Sequence, residues 1–264
     1  MAIQGNKVTI IVASHIKYPM PGEMCYLPLQ VGSALAEDTF FLRDDQGNNI
    51  SDKNPRYSEL TGLYWMWKNI HESEYMGLVH YRRYLGTVGF CPPWKKRSIL
   101  SEKEILRCME EKDIILPRKR YYIIESVYAH YAHTHFREHL DMARQAIELL
   151  SPEMLETFDR AMSRRSTHAF NMFIMPRELC DDYCRWLFPI LEWLDERIDY
   201  DQYDDFQKRC LGRITELLLD VWIMSRGHSY VDVPVVYTEK RKMLRKVLAF
   251  IRSYVFKTKY HRSY

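Results

Sequence analysis

The sequence predicts an α/β fold in which a mostly parallel sheet carries helices on both faces. Short apolar runs of strand length alternate along the chain with longer amphipathic stretches of helical spacing, which is the pattern of such folds. The 264 residues are 47% hydrophobic and 28% charged, values typical of a globular chain with a sizeable core. No run approaches the roughly 20 apolar residues that a membrane-spanning helix needs.

The predicted strands are short and mostly apolar. The first, residues 8–13, is a nearly continuous β-branched run, so we expect it to be central and covered on both faces. The last, residues 230–237, contains Pro234, which lacks an amide hydrogen and therefore favours an edge position. Between them the sequence predicts strands at residues 77–79, 112–116 and 170–175.

Polar residues followed by proline mark the starts of two predicted helices. Asn54 and Pro55 suit the N-cap and first position of a helix whose apolar residues continue at helical spacing to Ile70. Ser151 and Pro152 repeat this signal. Two long amphipathic helices are predicted over residues 179–194 and 211–222.

Basic residues are concentrated at the C-terminal end. The formal net charge of +3 is too small to indicate nucleic-acid binding, yet residues 239–264 carry nine Lys or Arg against one acid. This composition, with a narrow apolar stripe, is typical of a helix on an anionic membrane surface, and a helix packed on the main domain is the alternative. We therefore divide the chain into a main domain, residues 1–238, and a basic amphipathic tail, residues 239–264.

The cysteines indicate a reducing compartment. All six are scattered without a CxxC spacing, and the N-terminus lacks the charged start and cleavage site of a signal peptide. We therefore expect reduced thiols in a cytoplasmic protein.

The strongest candidate for a binding site is the segment GLVHYRRYL, residues 77–85. His80, Arg82 and Arg83 follow a predicted strand, and ligands of open α/β sheets bind at the carboxyl ends of the strands. Guanidinium groups pair bidentately with phosphate oxygens, so the segment suits a nucleoside diphosphate. A solvated basic turn is the alternative.

The loop of residues 43–51 is the second candidate. Asp44 and Asp45, with Asn49 and Ser51, could hold a divalent cation through oxygen ligands or contact a ribose and base. Gly47 would let a ligand approach the backbone closely. An ordinary polar surface turn is the alternative.

Three further features of the sequence suggest contacts with a substrate. His130, His133, His135 and His139 form a cluster, but without an HExxH motif or an acidic third ligand a single histidine touching substrate is favoured over zinc. Glu216 interrupts an apolar helix stripe, and Asn171 interrupts a predicted strand. Each is either a solvated residue or a polar group turned into a site.

Several of these segments together resemble a known family. The segments that carry the resemblance occur in one order along the chain: residues 44–69, 77–84, 113–117, then Tyr131 with His135 and Leu140, and residues 171–175, 183–191 and 209–217. These ordered blocks are similar to the bacterial capsular and exopolysaccharide synthesis family, long labelled a domain of unknown function, whose members include galactofuranosyltransferases.

The resemblance implies a GT-A-like, Rossmann-related glycosyltransferase domain that uses UDP-galactofuranose. The family usually has threonine where Gln46 stands and an aromatic residue where Arg213 stands. It also usually has aspartate where Asn48 stands, so the loop of residues 43–51 has one carboxylate fewer than is usual in the family. The positions that match the family's functional blocks are Asp44, Asp45, Gly47, Asn49, Ser51, Asn54, Glu59, His80, Arg82, Arg83, His135, Asn171 and Glu216.

These positions divide into roles by their chemistry. Asp44 and Asp45 either bind Mg or Mn or leave the diphosphate to Arg82 and Arg83, since no Asp-x-Asp stands at a strand end. A carboxylate is the expected base for the acceptor hydroxyl. The candidate bases are Asp44, Asp45, Glu59, Asp113 and Glu216. The predicted contacts with the donor are His15, Gly47, Asn49, Ser51, Asn54, His80, Arg82 and Arg83. The predicted contacts with the acceptor are His135 and Asn171.

The predicted partners are a UDP-sugar donor, a lipid-linked saccharide acceptor and the inner face of the cytoplasmic membrane. Two other classes stay open: a transferase that uses UDP-galactopyranose, UDP-glucose or another nucleotide sugar, and a non-catalytic carbohydrate-binding subunit.

Overall fold

The computed structural model of the protein describes residues 6–92 and 97–239, which form two compact units. The described residues of the first unit are those up to 118, 170–185 and 228–239; those of the second are 119–169 and 186–227. The predicted boundary between the main domain and the tail stays a prediction, because residues 240–264 lie outside the described part.

Short strands build the sheets of both units. In chain order they are β1 (Val8–Ser14), β2 (Tyr26–Gln30), β3 (Leu42–Arg43), β4 (Tyr75–His80), β5 (Arg83–Leu85), β6 (Ile114–Pro117), β7 (Arg120–Tyr121), β8 (Ser166–Thr167), β9 (Phe173–Pro176), β10 (Tyr230–Val233) and β11 (Val235–Tyr237).

The first unit contains a mixed, mostly parallel sheet in the order β10-β6-β9-β4-β1-β2-β3. Strands β1, β2, β3 and β4 are parallel, and so are β6 and β10. Strand β9 is antiparallel to both β4 and β6, while β5 pairs antiparallel with β4 and β11. The predicted α/β class is confirmed.

The centre of this sheet explains its apolar sequence. All seven residues of β1 are buried, as expected for a strand covered on both faces. In the neighbouring strand, a Cβ on Gly77 would lie 2.8 Å from the Phe173 carbonyl oxygen and 2.9 Å from the Ile174 side chain. Glycine therefore allows β9 to lie against β4 at this point.

The predicted strand over residues 230–237 is two strands rather than one. Pro234 separates β10, which pairs with β6, from β11, which pairs with β5. Proline cannot donate to a sheet, and here its carbonyl oxygen accepts from the Gly86 amide at 2.7 Å. Strand β10 lies at an edge of the described sheet, as Pro234 predicted.

Eight α-helices lie in the described residues. The two long predicted helices correspond to α7 and α8. In chain order the helices are α1 (Asn54–Tyr57), α2 (Leu60–Asn69), α3 (Glu102–Met109), α4 (Val127–Thr134), α5 (Arg137–Leu150), α6 (Leu155–Ser163), α7 (Arg177–Asp195) and α8 (Cys210–Arg226).

The helix predicted from Asn54 to Ile70 is broken after one turn. Ser58 has φ 54° and ψ −131°, which ends α1 and lets α2 begin at Leu60. Asn54 is not the N-cap of α1; its Nδ2 instead donates to the Ser58 carbonyl oxygen at 2.7 Å. The break places Glu59 at the N-terminus of α2.

The second unit is mainly helical. Helices α4, α5, α6 and α8 pack together, and β7 pairs with β8 in a separate two-stranded sheet. Trp222 and Leu218 of α8 are fully buried in its core. No helix within residues 6–92 and 97–239 is both long and apolar enough to cross a membrane.

All six cysteines lie in the described residues and are free thiols. Cys25, Cys180, Cys184 and Cys210 are buried, whereas Cys91 and Cys108 are partly exposed. Burial raises the pKa of Cys25 to about 11 and that of Cys210 to about 12.

Candidate functional site

A cluster of polar side chains lies at the carboxyl end of β4 in the first unit. Asn171 Nδ2 donates to Glu59 Oε1 at 2.6 Å. His80 Nε2 lies 3.9 Å from the same oxygen and donates to the Phe170 carbonyl oxygen. The side chains of His80 and Glu59 are only 15% and 12% exposed. The structure therefore brings together a base candidate, a predicted donor contact and a predicted acceptor contact.

Three elements place this cluster at one edge of the sheet. His80 is the last residue of β4, and Glu59 precedes α2, the helix that leads into that strand. Asn171 stands just before β9, which runs antiparallel to β4 and so begins where β4 ends. Ligands of open α/β sheets bind at this edge.

The backbone around the cluster is strained. Among the described residues, the non-glycine residues with positive φ are Ser58 (54°), Phe170 (79°) and Asn171 (49°). They immediately precede Glu59 or form the segment that contacts His80. Such conformations cost on the order of 1–3 kcal/mol each and occur preferentially at functional sites. The strain thus independently favours this cluster as the site.

The two adjacent arginines turn towards different neighbours. The Arg83 guanidinium lies 4.6 Å from the centroid of the Phe170 ring, next to the Glu59 cluster. The Arg82 guanidinium lies 4.9 Å from the Tyr81 ring centroid and 3.7 Å from Glu239 Oε2. The side chain of Arg82 is 43% exposed. Arg83 therefore contacts Phe170, the residue whose carbonyl oxygen accepts from His80, and Arg82 remains partly accessible.

His15 lies on the Arg82 side of the turn after β4. Its ring makes an edge contact with Tyr81 at 5.5 Å, and Tyr18 packs on the same tyrosine at 5.0 Å. His15 is exposed, and both His15 and Arg82 contact the ring of Tyr81.

Asp44 is fully buried and its carboxylate binds backbone groups. Its two oxygens accept from the amides of Gly32 and Ser33, each at 3.0 Å, and the Ser51 hydroxyl also donates to it. Gly32 has φ 72°, so this carboxylate stabilises a left-handed turn after β2. These contacts favour a structural role for Asp44.

The other polar groups of the loop also bind one another. Asp45 forms an ion pair with Arg43, which lowers the pKa of Asp45, chiefly through hydrogen bonds from the guanidinium. Asn49 Nδ2 donates to the carbonyl oxygens of Asp45 and Gly47, at 3.1 and 2.9 Å. The loop resembles the polar surface turn that was the alternative to a ligand site.

The loop therefore fits a divalent cation poorly. Neither carboxylate of Asp44 and Asp45 is free of protein partners, and the described residues contain no group of three or more His, Cys, Asp or Glu arranged to hold a metal ion. Binding of Mg or Mn stays a prediction, and these contacts favour its alternative, in which Arg82 and Arg83 neutralise the diphosphate.

The remaining base candidates are Asp113, in the first unit, and Glu216, in the second. Asp113 stands at the start of β6, at the opposite edge from His80, and accepts from the Ser229 hydroxyl at 2.8 Å. Glu216 and His135 belong to the second unit, where His135 Nδ1 lies 3.2 Å from Gln207 Oε1. Burial lowers the pKa of His135 well below its usual range.

Sequence reasoning missed Phe170 and Ser58. Phe170 contributes its carbonyl oxygen to His80 and its ring to Arg83. The positive φ of Ser58 ends α1, so that Glu59 lies outside that helix. Neither residue type signals a positive φ, so no feature of the sequence could have identified them.

Comparison with known proteins gives matches over most of the chain. Residues 9–227 match a family described as a domain of unknown function, DUF4422. The chain is also similar to the apo structure of WbbM, a bifunctional glycosyltransferase, with 29% sequence identity and a TM-score of 0.81. This similarity covers 89% of the present chain and 46% of the WbbM chain, so the protein spans about half the length of that structure. A search of curated proteins gave no match.

The family match includes Glu59, His80 and Asn171, and extends from β1 to the end of α8. It confirms the predicted membership of a family labelled by its unknown function, while the capsular role and the galactofuranose specificity stay predictions. The chain belongs to the DUF4422 family.

Proposed function

We propose that the protein is a glycosyltransferase of surface polysaccharide synthesis, which transfers galactofuranose from UDP-galactofuranose to a sugar hydroxyl of a lipid-linked acceptor. The similarity to a bifunctional glycosyltransferase supports the reaction class. The observation that carries the proposal is the Glu59 carboxylate, fixed by Asn171 beside His80 at the carboxyl edge of the sheet.

Glu59 suits the role of general base. Its Oε1 is occupied by Asn171, whereas Oε2 has no hydrogen-bond partner among the described residues. A carboxylate held in this way can accept the proton of the acceptor hydroxyl. As that proton moves to Glu59, the acceptor oxygen bonds to the anomeric carbon. The bond between the sugar and UDP then breaks, and its electron pair leaves with the diphosphate.

Arg83 and Arg82 suit the departing diphosphate, because guanidinium groups stabilise the charge that develops on phosphate oxygens. The Arg83 guanidinium contacts the ring of Phe170, whose carbonyl oxygen accepts from His80, and the Arg82 side chain is partly exposed. We assign His80 a contact with the donor, because it is the last residue of β4 and ligands of such sheets bind at the carboxyl ends of the strands.

Replacing either arginine should weaken UDP binding. We expect Arg82→Ala and Arg83→Ala each to lower UDP affinity by about 10- to 100-fold, since a hydrogen bond to a charged group contributes about 1.5–3 kcal/mol. Calorimetry with UDP measures the effect, and circular dichroism checks folding. Arg185→Ala, an exposed arginine of α7 in the same unit, serves as the control. Unchanged UDP affinity in both variants would remove the arginines from the site.

Transfer should persist in EDTA. Asp44 and Asp45 are engaged by backbone amides and by Arg43, so we expect the arginines rather than a metal ion to neutralise the diphosphate. The measurement compares the initial rate after EDTA treatment with the rate after Mg or Mn is added back. A rate that is lost with EDTA and restored by the metal would instead support the predicted cation.

The donor is tested with a panel of nucleotide sugars. We expect turnover with UDP-galactofuranose to exceed that with UDP-galactopyranose or UDP-glucose, measured as UDP release in the presence of a short saccharide acceptor. Preference for another donor would keep the transferase reaction and change its substrate. Failure to bind any UDP-sugar would favour a non-catalytic carbohydrate-binding subunit.

The C-terminal tail lies outside the described residues, and its membrane binding is part of this proposal. Each basic residue near an anionic leaflet contributes about 1 kcal/mol, and salt screens this attraction. We expect the full chain to sediment with anionic liposomes at low salt and a chain without residues 240–264 to remain in solution. Turnover of a water-soluble acceptor should survive the deletion. Equal sedimentation of both proteins would exclude the tail as the anchor.

A further inference from the structure

The second unit contains a cluster around the cationic side chain of Arg213, to which the reaction steps proposed above assign no role. Arg213 of α8 is half-buried, and its guanidinium lies 4.0 Å from the centroid of the Phe206 ring. The guanidinium donates to the Phe206 carbonyl oxygen and, at 3.5 Å, to Gln207 Oε1. Both acceptors are neutral, so neither cancels the charge of Arg213.

No acidic side chain of the described residues pairs with the Arg213 guanidinium. Within residues 6–92 and 97–239, Arg213 forms no ion pair with a carboxylate. The remaining residues, 1–5, 93–96 and 240–264, contain no Asp or Glu. Glu216, one turn further along α8, raises the pKa of Arg213 less than burial lowers it. A partly buried guanidinium without an anionic partner is costly, so the arrangement favours the binding of an anion.

Two imidazoles belong to the same cluster. His139 is 1% exposed, and its Nδ1 lies 3.2 Å from the Tyr131 hydroxyl. Its Nε2 is buried and has no hydrogen-bond partner in the described part of the chain. Burial and the charge of Arg213 lower the pKa of His139 to about 4, and the same two causes lower that of His135. A buried polar nitrogen without a hydrogen-bond partner needs an explanation, and a bound ligand that accepts from His139 Nε2 would supply one.

Partly exposed aromatic rings surround this cluster. Phe136 and Tyr203 pack with ring centroids 4.7 Å apart, and Tyr203 makes an edge contact with His139 at 5.1 Å. Phe206 lies under the guanidinium of Arg213. Rings of this kind offer an apolar surface to the organic part of a ligand whose anionic group binds the arginine.

We propose that Arg213, His139 and His135 form an oxyanion site in the second unit that binds the phosphate group of a phosphate ester. The planar guanidinium retains donors for phosphate oxygens, which it matches bidentately. The neighbouring imidazoles add donors once a bound anion favours their protonation. Phe136, Tyr203 and Phe206 contact the ester's organic group. The site does not depend on the transfer reaction proposed for the first unit.

Thermal unfolding of the full chain tests the site with two probes, inorganic phosphate and galactose 1-phosphate, at constant ionic strength. A ligand that binds only the folded protein raises its melting temperature with concentration. We expect this rise in the wild type and its loss in Arg213→Met, with binding at least about 10-fold weaker. Without ligand, Arg213→Met should melt at the same or a higher temperature, because an uncompensated charge has been removed.

Arg164→Met is the matched control, an exposed arginine of the same unit that should keep the wild-type response. Half-saturation at a lower concentration of galactose 1-phosphate assigns the site to an ester, and equal values assign it to the phosphate group alone. A wild-type response in Arg213→Met, or no response of the wild type to either probe, overturns the proposal.

A measurement on the wild type covers the case in which Arg213→Met does not fold. Histidine side-chain nitrogen resonances of ¹⁵N-labelled protein should shift for His135 and His139 on addition of phosphate, with a rise in the pKa of His139. Resonances that stay unchanged at saturating phosphate overturn the proposal. Because neither readout measures transfer, the outcome is independent of the function proposed above.

Discussion

Replacing Glu59 with glutamine is expected to lower kcat by about 10²- to 10⁴-fold, the usual contribution of a general base. Glutamine keeps the shape of the side chain and an oxygen that can accept from Asn171, but it cannot take the proton of the acceptor hydroxyl. UDP affinity and the free energy of unfolding should change little. Steady-state kinetics with saturating donor, together with UDP calorimetry, separate the two effects.

Glu102→Gln is the matched control for this experiment. Glu102 lies at the N-terminus of another helix of the first unit, α3, and is also only partly exposed. We expect its kcat to equal that of the wild type. If Glu59→Gln also retains wild-type kcat, the base is a different group and the cluster around His80 serves binding alone.

Replacing Asp44 with alanine is expected to destabilise the first unit by about 3–5 kcal/mol, because it leaves two buried amides and a buried hydroxyl without their acceptor. The free energy of unfolding in urea measures this loss. Asp52→Ala, at an exposed aspartate that directly follows this loop, should change it by less than about 0.5 kcal/mol.

The stability of Asp44→Ala also distinguishes the structural role of Asp44 from its predicted role as a metal ligand. A carboxylate that served only as a metal ligand would leave the stability of the metal-free protein unchanged when removed. Wild-type stability of Asp44→Ala, accompanied by loss of transfer, would therefore restore the cation site.

The central part of the fold could be predicted because its sequence has a single interpretation. An uninterrupted β-branched run such as residues 8–13 suits only a strand buried on both faces, and α7 and α8 have clear apolar stripes. The direction of β9 could not be predicted, because four apolar residues look the same in a parallel and an antiparallel strand. Pro234 indicated an edge but not a change of partner strand.

The candidate site was predictable only in part. The residues His80, Arg82 and Arg83 follow a strand, so their position at the sheet edge could be inferred, whereas the importance of Glu59 came from resemblance alone. Its placement depends on the positive φ of Ser58, which serine does not signal. Asp44 shows the converse difficulty: an acidic loop has the same sequence whether its carboxylate binds a cation or backbone amides.

The buried thiols offer a separate kinetic readout for each unit. Thiols are alkylated as thiolates, and a pKa of about 11 leaves about 10⁻⁴ of the Cys25 side chains ionised at pH 7. Cys210, with a pKa of about 12, is at least as inert. Alkylation of either residue must therefore await local opening of the surrounding structure. Because Cys25 belongs to the first unit and Cys210 to the second, their alkylation rates in one sample report whether the units open together or independently.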